Sequence, residues 1–139
     1  MDERHVDPDR ERFGRFRELP QDHVIHMLNL VRLKETATYE DGMMVTGREA
    51  YAAYSRESAP IFQRLGGRIA WSGSFELMLI GPQDERWDLC FIAEYPSAEA
   101  FIAMIRDPEY QKAVRHRQAA VLTSRLIRMK PGEAGHSFG

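Results

Sequence analysis

The sequence predicts an α+β domain with elements in the order β-α-β-β-α-β, preceded by a short helix. Three observations carry that expectation. The runs His23–Leu33 and Leu89–Ala93 place apolar residues on both parities, as strands covered on both faces do. Two further stretches have apolar residues at helical spacing, and each opens with a capping signal. With 139 residues, 43% of them hydrophobic and 29% charged, the chain has the size and composition of one ordinary soluble domain with one core.

Residues 1–20 form a charged leading segment. Asp7-Pro8-Asp9 reads as an N-cap, a first-turn proline and an acid at the positive end of a helix dipole. Phe13, Phe16 and Leu19 then give that helix a narrow apolar stripe, and Pro20 stops it. The domain proper spans 21–131, with His23–Leu33 as its first central strand.

Thr36–Val45 carries Glu40, Asp41 and Gly42 and reads as a loop. Thr46-Gly47-Arg48-Glu49 fits a capping box, in which the Thr hydroxyl and the Glu carboxylate each satisfy an orphan backbone N–H. The helix that follows sets Tyr51, Tyr54, Ser58, Ile61, Phe62 and Leu65 at helical spacing; Pro60 should interrupt and kink it, and Gly66-Gly67 should end it.

Arg68–Ile80 is rich in β-formers and reads either as one strand bent at Ser72-Gly73-Ser74 or as a tight hairpin. The bent strand is preferred, because a pivot at Gly73 keeps Trp71 and Phe75 on one surface. Gly81–Arg86 is a turn, and Leu89–Ala93 is the second central strand. Ser97 caps a helix carrying Phe101, Ile102 and Ile105, and Asp107-Pro108-Glu109 restarts one with Tyr110, Ala113, Val114 and Arg117 on one side. Val121–Lys130 closes as a strand, and 132–139 is a frayed tail.

This order is that of the ferredoxin-like plait, a four-stranded antiparallel sheet with both long helices on one face. Helices on one side cannot cover central strands that are apolar on both. The bare face therefore calls for a second sheet, and the economical solution is a homodimer with two sheets packed face to face.

Composition narrows the partners. Lys and Arg number 19 against 21 Asp and Glu, a net charge of −2, so no basic field exists to hold nucleic acid. No run approaches the roughly 18–20 apolar residues of a membrane span. The lone Cys90 and the charged opening Asp2-Glu3-Arg4 point to a reducing, cytoplasmic location. Dinucleotide, phosphate-loop, paired-cysteine and zinc-protease motifs are absent, and no cofactor or metal is expected.

The residues left to carry chemistry are few. Asn29 sits in an apolar strand, where its amide must bond locally or face a polar cavity. Three residues from it on a strand, His26 belongs to the opposite face, so His23 and His26 are poorly placed to share a metal. His116 is the best candidate for acid–base work, since its unperturbed pKa lies near neutrality; a core-capping role is the alternative. Arg117 on the stripe of the last helix would pair structurally or grip a carboxylate ligand. Tyr54, Trp71 and Trp87 join large apolar bodies to polar handles, suited either to plain packing or to lining a ligand pocket. Cys90 reads as an inert buried thiol, and Asp84, Glu85 and Asp88 as a solvated acidic turn.

Several short strings together resemble one known family: His26-Met-Leu-Asn-Leu-Val-Arg32, Gly47-Arg-Glu-Ala-Tyr-Ala-Ala-Tyr54, Leu65-Gly-Gly-Arg68, Gly81-Pro82 with Arg86-Trp87-Asp88, Tyr95-Pro-Ser97, Asp107-Pro-Glu-Tyr110 and His116-Arg117. They are similar to the small bacterial proteins of domain of unknown function 1330, over roughly Pro8 to Pro131. The resemblance implies the dimeric α/β-barrel superfamily. That scaffold hosts cofactor-independent oxygenases, lactone isomerases, heme enzymes and non-catalytic sensors, so it does not fix a reaction. Two functional expectations follow. One is a small-molecule pocket between sheet and helices, lined by Asn29, Tyr54, Trp71, Trp87 and Arg117 with His116 as catalyst, serving a cofactor-independent enzyme. The other is a non-catalytic binding or assembly module. Heme binding, as in some relatives, is a third.

Overall fold

The computed structural model describes residues 4–138. Its elements are α1 (Arg10–Glu18), β1 (Ile25–Leu33), β2 (Thr36–Thr38), β3 (Met44–Thr46), α2 (Gly47–Arg64), β4 (Arg68–Gly73), β5 (Leu89–Tyr95), α3 (Ala98–Arg106), α4 (Pro108–Ala120) and β6 (Val121–Met129). The main sheet has the order β4-β5-β1-β6 with every neighbouring pair antiparallel, the ferredoxin-like arrangement. The sheet is open, with β4 and β6 as its edges, and the described residues contain no closed barrel.

The two central strands occupy the middle of the sheet as their double-sided apolar pattern requires. Pairing sets Met27 opposite Ala93 and Arg128 on one face, and Leu28 opposite Ile92 and Ile127 on the other. The first face meets the helices. Ile25, Met27, Ala93 and Tyr95 pack there against Ile61, Phe101, Met104 and Tyr110. The second face has no helix over it, and Trp71 and Ile127 remain 52% and 45% exposed.

The caps follow the sequence closely. Thr46 and Glu49 make the full capping box of α2, Ser97 accepts from the Ala100 N–H, and Asp107 accepts from Glu109 N–H ahead of Pro108. Gly66, with φ +86°, ends α2 in the left-handed region.

Five details depart from expectation. The cap of α1 is Asp9, two residues beyond Asp7; its carboxylate accepts from Arg12 N–H at 2.7 Å. Leu19 does not join the Phe13 and Phe16 stripe and is 50% exposed. Thr36–Val45 is a hairpin, β2 paired with β3, turning at Gly42 with φ +89°. Pro60 does not interrupt α2, which runs from Gly47 to Arg64 because packing on α4 holds its flanks. Finally, β4 stops at Gly73 and 74–88 contains no strand, so neither the bent strand nor the hairpin forms.

The leading segment also ties to the sheet. Ser124 N–H donates to the His5 carbonyl at 2.7 Å and His5 N–H donates to Thr123 Oγ1 at 3.0 Å, so the chain runs along the outer edge of β6. Arg128 donates to the carbonyls of Phe16 and Pro20, and its guanidinium lies 4.7 Å from the Phe16 ring centre, fastening α1 to the same edge.

Candidate functional site

Helix α2 and the segment 5–16 stand over the helix-side face of the sheet without filling the space beneath them. They leave a cavity of about 1700 Å³. Its floor includes Met27, Asn29 and Phe91; its roof includes Tyr51, Tyr54 and Val114. The sequence puts these residues there by two periodicities: odd positions of β1 and β5 face the helices, and Tyr51, Tyr54, Ser55 and Ser58 fall on one side of α2.

The wall mixes aromatic rings, Phe91, Phe101, Tyr51, Tyr54 and Tyr110 among them, with polar and charged side chains. Asn29 Nδ2 donates to the Met27 carbonyl at 3.0 Å, leaving its Oδ1 toward a cavity flanked in register by Phe91 and Leu126. Tyr54 and Tyr110 share a hydroxyl–hydroxyl hydrogen bond of 2.7 Å. The neighbouring Tyr51 ring, 5.3 Å from that of Tyr54, has a hydroxyl with no hydrogen-bond partner among the described residues. Burial raises all three phenols well above the ordinary tyrosine value. They stay protonated at neutral pH and act as hydrogen-bond donors, not bases.

Arg117 reaches the same cavity but is already occupied. It donates to the Val6 carbonyl and, at 3.3 Å, to Ser124 Oγ, and Asp7 lies 3.7 Å away. Its fork thus fastens the leading segment over the cavity.

Asn29, Tyr54 and Arg117 are therefore brought together, and the other expected residues are not. His116 faces away from the cavity: Nδ1 lies 2.6 Å from the Tyr39 hydroxyl and Nε2 lies 2.8 Å from Glu57, at 5% exposure. Helix α4 packs on α2 and on the β2–β3 hairpin, and His116 sits between them, bonded to Tyr39 of the hairpin and Glu57 of α2. Trp71 is on the opposite face of the sheet. A register shift between Ile69, paired with Ala93, and Trp71, paired with Ile92, carries it across. Trp87 is 6% exposed beneath the Arg125 guanidinium, 5.3 Å from its ring, outside the cavity. The acidic turn is structural as well: Asp88 accepts from Leu33 N–H at 2.7 Å and Glu85 lies 3.6 Å from Arg125. His26 pairs with Glu94 on the bare face, while His23 bonds the Val24 carbonyl. No group of three or more metal-ligating side chains occurs among the described residues.

Sequence reasoning missed Tyr51 and Tyr110. The signal for Tyr51 was present, since it lies three residues before Tyr54 on the same helix. Tyr110 required knowing that α4 crosses beside α2.

Fold and cavity together define a ferredoxin-like α+β protein with a large, partly aromatic-lined hollow beneath its helices. The chain belongs to the family described as Domain of unknown function (DUF1330), which matches residues 42–129. It is similar to the RPA0582 protein of unknown function from Rhodopseudomonas palustris: identity is 61% over 95% of this chain and 100% of that one, with a TM-score of 0.91. The methylated RPA0582 protein matches at 61% identity and TM-score 0.93, over 96% of this chain and 98% of that one. An uncharacterized NIPSNAP-like domain protein from Burkholderia xenovorans shares the fold at 18% identity and TM-score 0.52, over 85% and 93% of the two chains. No curated protein matches. Among the described residues, no helix is long and apolar enough to cross a membrane.

Proposed function

We propose that this chain binds a small, flat organic ligand in the cavity between sheet and helices. One observation carries the reading: a hollow of about 1700 Å³, part of whose wall is aromatic, holds two polar groups with spare capacity, the Tyr51 hydroxyl and Asn29 Oδ1. Ligand sites have this make-up, an apolar wall with a few oriented polar atoms. A phenol donor and an amide acceptor suit a ligand offering one acceptor and one donor, such as a hydroxylated aromatic ketone. Arg117 is spent on the leading segment and contributes closure, not a charge for the ligand.

Binding without chemistry is the better supported of the two expectations, because His116 is turned away and the cavity phenols are held protonated. The test has two arms. Thermal-shift and calorimetric screening with hydroxylated aromatics should find a ligand whose affinity falls about 10-fold or more in Asn29→Ala and Tyr51→Phe, with His116→Gln unaffected. Equal binding by all three would remove the cavity from the reading. Steady turnover of that ligand by the purified protein would restore the enzyme reading.

The same reading includes a homodimer. The bare face presents Trp71, Ile92, Leu28 and Ile127 in one row across the four strands, a contiguous apolar stripe that water should not be left to cover. A reducing, cytoplasmic setting fits the single thiol, Cys90, on that face.

A further inference from the structure

We infer that Phe75–Ile80 is a dimerisation arm, which leaves its own protomer and packs on a second copy. The inference rests on the homodimer reading above and adds a separate element to it. Residues 74–88 form a fifteen-residue excursion without secondary structure, a length uncommon in a compact domain unless it has a task. Its first half is not composed like a loop. Leu77, Leu79 and Ile80 are 69%, 81% and 90% exposed, and Glu76 is the only charge from Ser74 to Gln83. Three large aliphatic side chains in sequence, all in water, are a cost that the protomer does nothing to offset.

Three observations name the occupant as another copy of this chain. First, the arm continues directly from β4, the edge strand that carries Trp71 of the bare apolar face, so arm and face are one continuous apolar surface. Second, Phe75, Leu77 and Leu79 alternate as a strand would, which is why the sequence predicts one; the pairing strand is missing from the protomer. Third, the sheet face is modest in extent: four strands of six to nine residues, about 4.8 Å apart, outline in plan only on the order of 450 Å², so a neighbouring apolar segment enlarges any contact made there. The three exposed aliphatic side chains of the arm, Leu77, Leu79 and Ile80, add apolar area to that face.

The experiment is sedimentation equilibrium of the full chain from nanomolar to 100 micromolar. It compares wild type with the triple variant Leu77→Ser, Leu79→Ser, Ile80→Ser, and with Ile127→Lys on the sheet face. Expected is a wild-type dimer whose dissociation constant rises about 100-fold or more in the triple variant, with an unchanged circular dichroism spectrum. A wild-type dimer that the triple variant leaves as tight would overturn the arm, while weakening by Ile127→Lys would keep the sheet-face dimer. A wild type that stays monomeric throughout would end both. Loss of protomer folding in the triple variant would show that the arm packs on its own chain, and would equally overturn the proposal.

Discussion

The Tyr39 hydroxyl lies 2.6 Å from His116 Nδ1, which joins the β2–β3 hairpin to α4. The far nitrogen, Nε2, is 2.8 Å from the Glu57 carboxylate on α2. A carboxylate only accepts, so Nε2 donates to Glu57. One imidazole therefore fastens three elements. His116→Ala removes both bonds and opens a buried space, and should lower unfolding stability by about 3 kcal/mol. Tyr39→Phe should cost about 1–2 kcal/mol. Urea denaturation followed by circular dichroism measures both; a change below about 0.5 kcal/mol in His116→Ala would show that the bridge contributes nothing.

Two glycines should respond to the same substitution with opposite signs. A Cβ on Gly47 would sit 1.8 Å from the Lys34 carbonyl oxygen, at the seam where α2 starts beside the end of β1. Gly47→Ala must push backbone apart and should cost about 2 kcal/mol or more. A Cβ on Gly14 meets nothing within 4 Å, inside α1. Gly14→Ala should stabilise by about 0.5–1 kcal/mol through helix propensity. Thermal denaturation of the two variants side by side checks the pair.

The fold was legible because its signals are local. Caps at Thr46, Ser97 and Asp107, and the double-sided apolar runs of the central strands, need no tertiary knowledge. The β2–β3 hairpin was missed: Glu40, Asp41 and Gly42 gave Thr36–Val45 the composition of a loop, although strands of three residues on either side of Asp41-Gly42 pair in the fold. The site was only half legible. Asn29 and Tyr54 could be placed by parity and helical phase. Trp71 could not, because a one-residue register shift moves it to the other face and leaves no mark in the sequence. His116 was misplaced because its partners, Tyr39 and Glu57, lie far away in sequence, and nothing local marks that side of α4 as buried.

Acid should weaken the protein partly through Glu94. The Arg68 guanidinium, 2.7 Å away, and then the His26 ring hold its carboxyl below the usual glutamate value. A folded value below the unfolded one means the charged form is favoured in the native state. That contribution is complete above the ordinary glutamate range and is lost as pH falls through the folded value. Stability should therefore decline on acidification, and Glu94→Gln should be less stable than wild type at neutral pH yet decline less steeply. Denaturant midpoints from neutral pH down to pH 3 give the comparison; parallel curves would contradict it.

Cys90 gives a chemical probe of the bare face. It pairs in register with Leu30 and Gly73, and burial pushes its thiol up from the ordinary value. Since the thiolate is the reacting form, alkylation by iodoacetamide should be slow at neutral pH and accelerate strongly above about pH 9. If two copies cover that face, the rate at fixed pH should also drop as protein concentration rises. A rate independent of concentration would place Cys90 outside any contact between copies.

The backbone bonds of His5 to Thr123 and Ser124 bear on how far assembly can go. A twisted ribbon with two bare rims can recruit neighbours on either side and keep growing. Here one rim is covered by the segment at His5, so strand addition there is blocked. Any association between copies is thereby steered toward a closed pair, and removing residues 1–9 should expose the rim and favour open-ended fibres over a finite complex.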